Sequence, residues 1–191
     1  SSEFVSRFDN NDIRKELFTF VAEKEDGVEY EGKVYDAVAK YLPIKSGVTT
    51  EENRRCDPFI LRVSEMYLIH AEAECLGGGN LEAAANDVKA IRARALGLTP
   101  ADIKITYTGK DDLDRVIQEE RSKELCFEGN RFFDLKRRGE DIVRSASSTS
   151  TTKVVRYPSY LYAMPICQLE MEANDYMIQN DGYDGRKSLG E

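Results

Sequence analysis

Residues 59–95 read FILRVSEMYLIHAEAECLGGGNLEAAANDVKAIRARA, and the spacing of apolar side chains along them decides the fold class. Ile60, Val63, Tyr67 and Ala71 fall on one helical stripe and Met66, Ile69, Ala73 and Leu76 on another, so a helix over 59–76 with two packed neighbours is expected. The run Gly77, Gly78, Gly79 supplies a left-handed stop, and Asn80 offers a side-chain oxygen to cap the next helix. That helix extends to about Ala95, with Leu81, Ala84, Val88, Ile91 and Ala95 on its core face, and its alanines let a neighbour approach closely. The stretch is a tight helical hairpin.

Downstream, after LGLTPADIKITYTGK, Asp111 is placed to cap a third helix that carries Leu113, Val116, Ile117, Leu125 and Phe127 and stops at Gly129. Asn130 then caps a shorter fourth helix through Phe132, Phe133 and Leu135, with Arg137 and Arg138 favourably placed at its C-terminal end and Gly139 as its stop. Two helix-turn-helix pairs of about 34 residues each are the unit of tetratricopeptide-like stacking, although the Trp-Leu-Gly signature of that repeat is absent. SASSTSTT, from Ser145 to Thr152, reads as an irregular connector, and KVVRY after it as a short strand. A Pro-bounded YLYAMP, a turn of helix in ICQLEMEA and the run QNDGY follow. Upstream, NDIRKELFTFVAEKEDG fits a short helix or a strand, and the polar segment from Pro43 to Asp57 reads as a surface loop.

Composition narrows the function classes. A length of 191 residues with 41% hydrophobic content supports one domain with a real core. A net charge of -8 argues against nucleic acid as a partner, because phosphate binding needs clustered cations. No apolar run approaches membrane-spanning length, and Ser1 to Asn10 show no signal-peptide pattern. Cys56, Cys75, Cys126 and Cys167 are scattered singly, without zinc or redox spacing, and Cys75 and Cys126 read as small core residues.

The third helix holds the chemistry worth weighing. Glu120, Glu124 and Glu128 are spaced four apart and stack along one face, where like charges repel unless cations lie close. Arg121, Arg131 and Arg137 are the nearest such cations in sequence, with Asp134 placed to orient them. Two carboxylates of this kind could form a glycosidase acid/base pair, but arginine beside a carboxylate lowers its pKa, so a structural salt-bridge network is the favoured reading. His70, the only histidine, has no Ser or Cys partner at a recognisable elbow and reads as a helix-packing residue. Asp111, Asp112 and Asp114 lack the glycine and distal glutamate of a calcium loop and suit a helix N-terminus. No catalytic residue, metal site or cofactor is therefore expected. Tyr30, Tyr35, Tyr107, Tyr157 and Tyr160 lie in loop-like or strand-like stretches and are candidate stacking platforms for sugars, although such tyrosines more often pack on the fold with a wet hydroxyl.

Taken together, NDIRKELF, ILRVSEMYLIHAEAECLGGGNLEAAANDVKAIRARA, VIQEERSKELCFEGNRFFDLKRRG and YLYAMPICQLEMEANDYMIQNDGY resemble the SusD/RagB family. The matching positions are Arg62, Glu65, Glu72, Ala73, Arg92, Arg94, Glu120, Arg121, Glu124, Leu125, Glu128, Gly129, Arg131, Asp134, Leu135, Gln179, Asn180, Gly182 and Tyr183. They read as scaffold residues, and no glycan-contacting residue is assigned. Ala163-Met164-Pro165 departs from the family's Pro-Ile-Pro. The resemblance implies a mainly α fold: a single SusD-like C-terminal domain over 1–191, with a mixed entry segment at 1–57, helical hairpins at 58–144, and a loop, short strand and tail at 145–191. It also implies the last third of a surface-exposed outer-membrane lipoprotein of Bacteroidetes-type bacteria. Such a protein captures oligosaccharides without chemistry, sits as a lid on a SusC-type TonB-dependent barrel, and carries its lipid anchor on an N-terminal part outside this chain. Two alternatives are a tetratricopeptide-like adaptor for a protein segment and a glycoside hydrolase using Glu120 and Glu124.

Overall fold

The computed structural model describes residues 2–25, 28–36, 38, 40–41, 60–174 and 176–183. The loop expected over 43–57, with Cys56, lies outside the described residues, as do the side chains of Tyr30 and Tyr35. The chain divides into two compact units, Ser1–Arg131 and Phe132–Glu191, each described by itself.

The first unit begins with α1 (Ser2–Val5), a 3-10 helix at Ile13–Phe18, and an antiparallel hairpin of β1 (Thr19–Glu25) and β2 (Val28–Asp36). Three long helices follow and pack on one another: α2 (Val63–Leu76), α3 (Leu81–Leu96) and α4 (Lys110–Glu124). Ala71, Cys75, Ala84, Ala85, Val88, Leu113 and Ile117 form the core between them. Small residues on α2 and α3 bring those two helices close, and the full-sized side chains from α4 fill the seam. Full burial of Leu113 and Ile117 contributes about 1.5–3 kcal/mol each. A second cluster joins Leu68, Ile91 and Leu125, and the rings of Phe4, Phe8 and Phe18 meet edge-to-face, with Phe127 tilted against Phe18.

The turn chemistry matches expectation. Gly78 takes the left-handed conformation at φ 80, and the Asn80 side chain accepts from the backbone N–H of Glu82 at 2.8 Å and of Ala83 at 3.3 Å. All five residues expected on the α3 core face are buried or pack on the core.

Helix α2 differs from expectation. It buries Ser64, Leu68, Ala71, Glu72 and Cys75, so of the two apolar stripes expected to pack only Ala71 points into the core. Met66, Ile69, Ala73 and Leu76 form an exposed outer row. The small Ser64, Ala71 and Cys75 on its buried face allow close approach of a neighbouring helix, and Leu68 is the one large apolar side chain among them. Helix α4 also ends sooner than expected. Leu125 is its C-cap, Phe127 lies beyond it at φ 65, and Gly109 precedes it where Asp111 was expected to cap.

The second unit takes in most of α5 (Asn130–Arg138), which closes at Gly139, φ 67, with the Glu140 N–H bonded to the Leu135 carbonyl at 2.9 Å. A two-residue ladder pairs β3 (Ile142–Val143) with β4 (Val154–Val155) across the Ser/Thr-rich connector. A 3-10 turn at Tyr160–Tyr162 and the short α6 (Gln168–Ala173) follow. The Gln179 amide binds the chain from both sides: its oxygen accepts from the Ile166 N–H at 2.8 Å and its nitrogen donates to the Ile166 carbonyl at 2.9 Å. The architecture is mainly helical, with a tetratricopeptide-like α2–α3 hairpin and minor β elements.

Candidate functional site

Helix α4 carries Glu120 and Glu124 one turn apart, and both are withdrawn from solvent, at 0% and 3% exposure. A buried carboxylate is costly without a partner, and two on one face are costlier. Cations from three other stretches of chain meet them, and a cation from a fourth meets Glu128. Arg14 donates to Glu120 at 2.8 Å, to Glu124 at 3.0 Å and, through two further nitrogens, to Asp12 at 2.9 and 2.8 Å. Helix α3 sends Arg92 to Glu120 at 2.6 Å and Arg94 to both oxygens of Glu124 at 2.6 and 2.7 Å. Arg62, at the start of α2, bridges Glu124 at 2.6 Å and Glu128 at 2.9 Å. Lys40 pairs with Glu128 and donates to the Cys126 carbonyl at 2.8 Å, near the negative end of α4.

Burial alone would push the Glu124 carboxyl up, but the hydrogen bonds and charges of Arg62 and Arg94 outweigh it and hold it at about 2. Burial works against the charged form of Arg14 too, yet its bonds to Asp12 and the charge of Glu120 raise it above the ordinary guanidinium value. Arg62 is raised in the same way, desolvation being overcome by Glu128 and Glu124. The row is thus a desolvated, ion-paired hub that ties the N-terminal segment to the three long helices.

The cations nearest in sequence are not its builders. Arg121 pairs with Glu65 on α2 at 3.4 Å and Arg137 with Asp134 at 3.1 Å, while no ion pair among the described residues joins Arg131 to the row. Arg121 follows Glu120 directly and so points to another face of the helix. Arg14, Lys40, Arg62, Arg92 and Arg94 carry no local spacing signal toward the row, because each reaches it across a long stretch of chain.

The other candidates separate clearly. His70 lies on an exposed face of α2, where Nδ1 meets Asp87 of α3 at 2.5 Å and Nε2 stands 3.6 Å from Glu74. The bond to Asp87 raises its pKa above the ordinary 6.5. Asp112 accepts from the Thr108 N–H at 3.0 Å, closing the start of α4, and among the described residues no three metal-ligating side chains gather. Cys75 is buried, Cys126 half-buried and Cys167 exposed, all as free thiols. Tyr107 packs against the helical core. Tyr157 and Tyr160 lie half-exposed in the second unit.

The sequence model of the SusD family matches residues 22–183. Among solved structures, a SusD superfamily protein from Bacteroides vulgatus is 31% identical, with a TM-score of 0.68 over 96% of this chain and 39% of its own. A SusD superfamily protein from Bacteroides thetaiotaomicron is 30% identical, with a TM-score of 0.69 over 94% of this chain and 39% of its own. A putative sugar binding protein from Bacteroides vulgatus is 26% identical, with a TM-score of 0.70 over 95% and 38%. Comparison with curated protein sequences gives no match. The chain spans about two fifths of the length of these solved relatives. With the family's sequence pattern across most of its length and the family's fold in its helices, the chain belongs to the SusD family.

Proposed function

We propose that this chain is part of a carbohydrate-binding protein that captures oligosaccharides at the bacterial outer-membrane surface, as a lipid-anchored partner of a TonB-dependent barrel. The observation that carries the reading is the likeness, over 95% of the chain, to a solved protein described as a putative sugar binding protein. The state of the acidic row supports a binder over a hydrolase. A glycosidase needs one carboxyl kept protonated near neutral pH, whereas Glu124 is held at about 2 and Glu120 is sealed between Arg14 and Arg92.

A glycan array tests the reading: retention of one structural class of oligosaccharide, unchanged in size after overnight incubation, is expected. No retained glycan removes the binding role, and shortened products restore the hydrolase. Copurification of the chain's parent protein with an outer-membrane barrel tests the partnership.

A second reading, an adaptor for a helical protein segment, is favoured by the outer row of α2. Met66, Ile69, Ala73 and Leu76 recur at the three-and-four spacing of a helix-packing seam and face solvent. Protein capture that Met66→Lys abolishes, with glycan retention absent, selects it.

A further inference from the structure

Resting on the carbohydrate-binding reading, we infer that Tyr157 and Tyr160 are the rings on which this chain stacks a sugar. The two belong to a repeated arrangement in the second unit. Tyr157 stands edge-to-face against Tyr162, with centroids 5.3 Å apart at 85°, and Tyr160 stands likewise against Tyr183, at 5.0 Å and 82°. In each pair the inner ring is buried and its hydroxyl is used. Tyr162 donates to the Glu140 carbonyl at 2.6 Å, and Tyr183 donates to the Ala163 carbonyl at 2.9 Å. The outer tyrosine of each pair is 45% or 43% exposed as a residue, and among the described residues no hydrogen bond occupies its hydroxyl.

Each outer ring also rests on a glycine in the left-handed region. A Cβ on Gly139 would come within 3.2 Å of Tyr157, and one on Gly182 within 2.5 Å of Tyr160. The loop between them is pinned as well. Asp141 accepts from the Tyr157 N–H at 2.8 Å and from Arg156 at 2.8 Å, and the Ser159 hydroxyl accepts from the Leu161 N–H at 3.2 Å. Each outer ring is therefore fixed by a buried tyrosine on one side and a bare backbone on another, and still meets water.

That combination suits a pyranose. A sugar offers an apolar C–H face for a ring and hydroxyls for a phenol, and a ring already immobilised loses little entropy on binding. The exposed guanidinium of Arg156, next to Tyr157, has donors to spare for sugar oxygens beyond its one bond to Asp141. Tyr176 is the internal contrast: it is 94% exposed and has no ring partner among the described residues, so nothing holds it for a ligand.

The test is titration calorimetry of the 191-residue chain with maltoheptaose, cellohexaose, xylohexaose and chitohexaose. The expected result is binding of at least one of them, weakened roughly tenfold or more by Tyr157→Ala and by Tyr160→Ala, and nearly kept by the Phe variants. Tyr176→Ala should bind as the unsubstituted chain does. In parallel, the ring signals of 13C-labelled Tyr157 and Tyr160 should shift on addition of the bound glycan, a readout that needs no substitution. Full-strength binding by both Ala variants, or unmoved ring signals under saturation, overturns this assignment and leaves the carbohydrate reading standing. Binding of none of the four removes both.

Discussion

Arg14 and Glu120 lie 106 residues apart in sequence and 2.8 Å apart in space, and both are sealed from solvent. Their pairing closes the N-terminal segment onto α4. Removing one member of a buried ion pair strands the other, at a cost of about 3–5 kcal/mol. Arg14→Ala is therefore expected to lower unfolding stability by that amount in urea titrations. Arg14→Lys should recover only part, because a single ammonium cannot span Asp12, Glu120 and Glu124 as the guanidinium fork does. A loss below about 1 kcal/mol for Arg14→Ala would show that the hub is incidental to stability.

Acid should loosen the same hub in a defined window. The folded pKa of Glu124, at about 2, lies below its ordinary value of 4.5. Its contribution is complete above the higher value and disappears as pH falls through the lower one, amounting to about 3 kcal/mol. Urea midpoints measured between pH 5 and pH 2 should fall steeply, and Glu124→Gln should flatten that fall while lowering stability at pH 7.

The sign reverses for the only histidine. Because the bond to Asp87 raises the His70 pKa above 6.5, the stabilisation it provides is complete below that value and is lost as pH rises through the elevated folded value. An NMR titration of the single imidazole should return a pKa above 6.5, and Asp87→Asn should bring it back towards that value. An unchanged pKa in Asp87→Asn would show that the contact is not made in solution.

Two glycines separate backbone strain from crowding. Gly78 has φ 80 and open space where a Cβ would sit, so Gly78→Ala should cost about 1 kcal/mol, the price of a left-handed alanine. Gly182 has φ 82, and its added carbon would stand 2.5 Å from the Tyr160 ring, so Gly182→Ala should cost more. Thermal melts of the two variants side by side measure the difference.

The hairpin of α2 and α3 was legible because its signals are local: glycines at the stop, Asn80 at the cap and a regular row of alanines. The acidic row was legible for the same reason, since four-residue spacing alone puts Glu120, Glu124 and Glu128 on one face. What stayed hidden needed tertiary information. Which face of α2 is buried is one such matter, because periodicity weighs Met66 and Ala71 alike. The partners of the row were assigned by closeness in sequence, whereas Arg14, Lys40, Arg62, Arg92 and Arg94 reach it across long stretches of chain. Among the tyrosines, residue type nominated Tyr157 and Tyr160, but only the fold reveals the buried ring and the glycine behind each.

Near the end of the described chain, the Gln179 amide serves Ile166 as a neighbouring β-strand would, answering one N–H and one C=O of the same residue. Glutamate has the same shape but no donor, so its oxygen would confront the Ile166 carbonyl with lone pairs on both sides. Asparagine keeps the chemistry but falls a methylene short. A position that looks like an ordinary polar surface residue thus tolerates neither isostere nor homologue, and its identity is dictated by the need of one amide plane to imitate another.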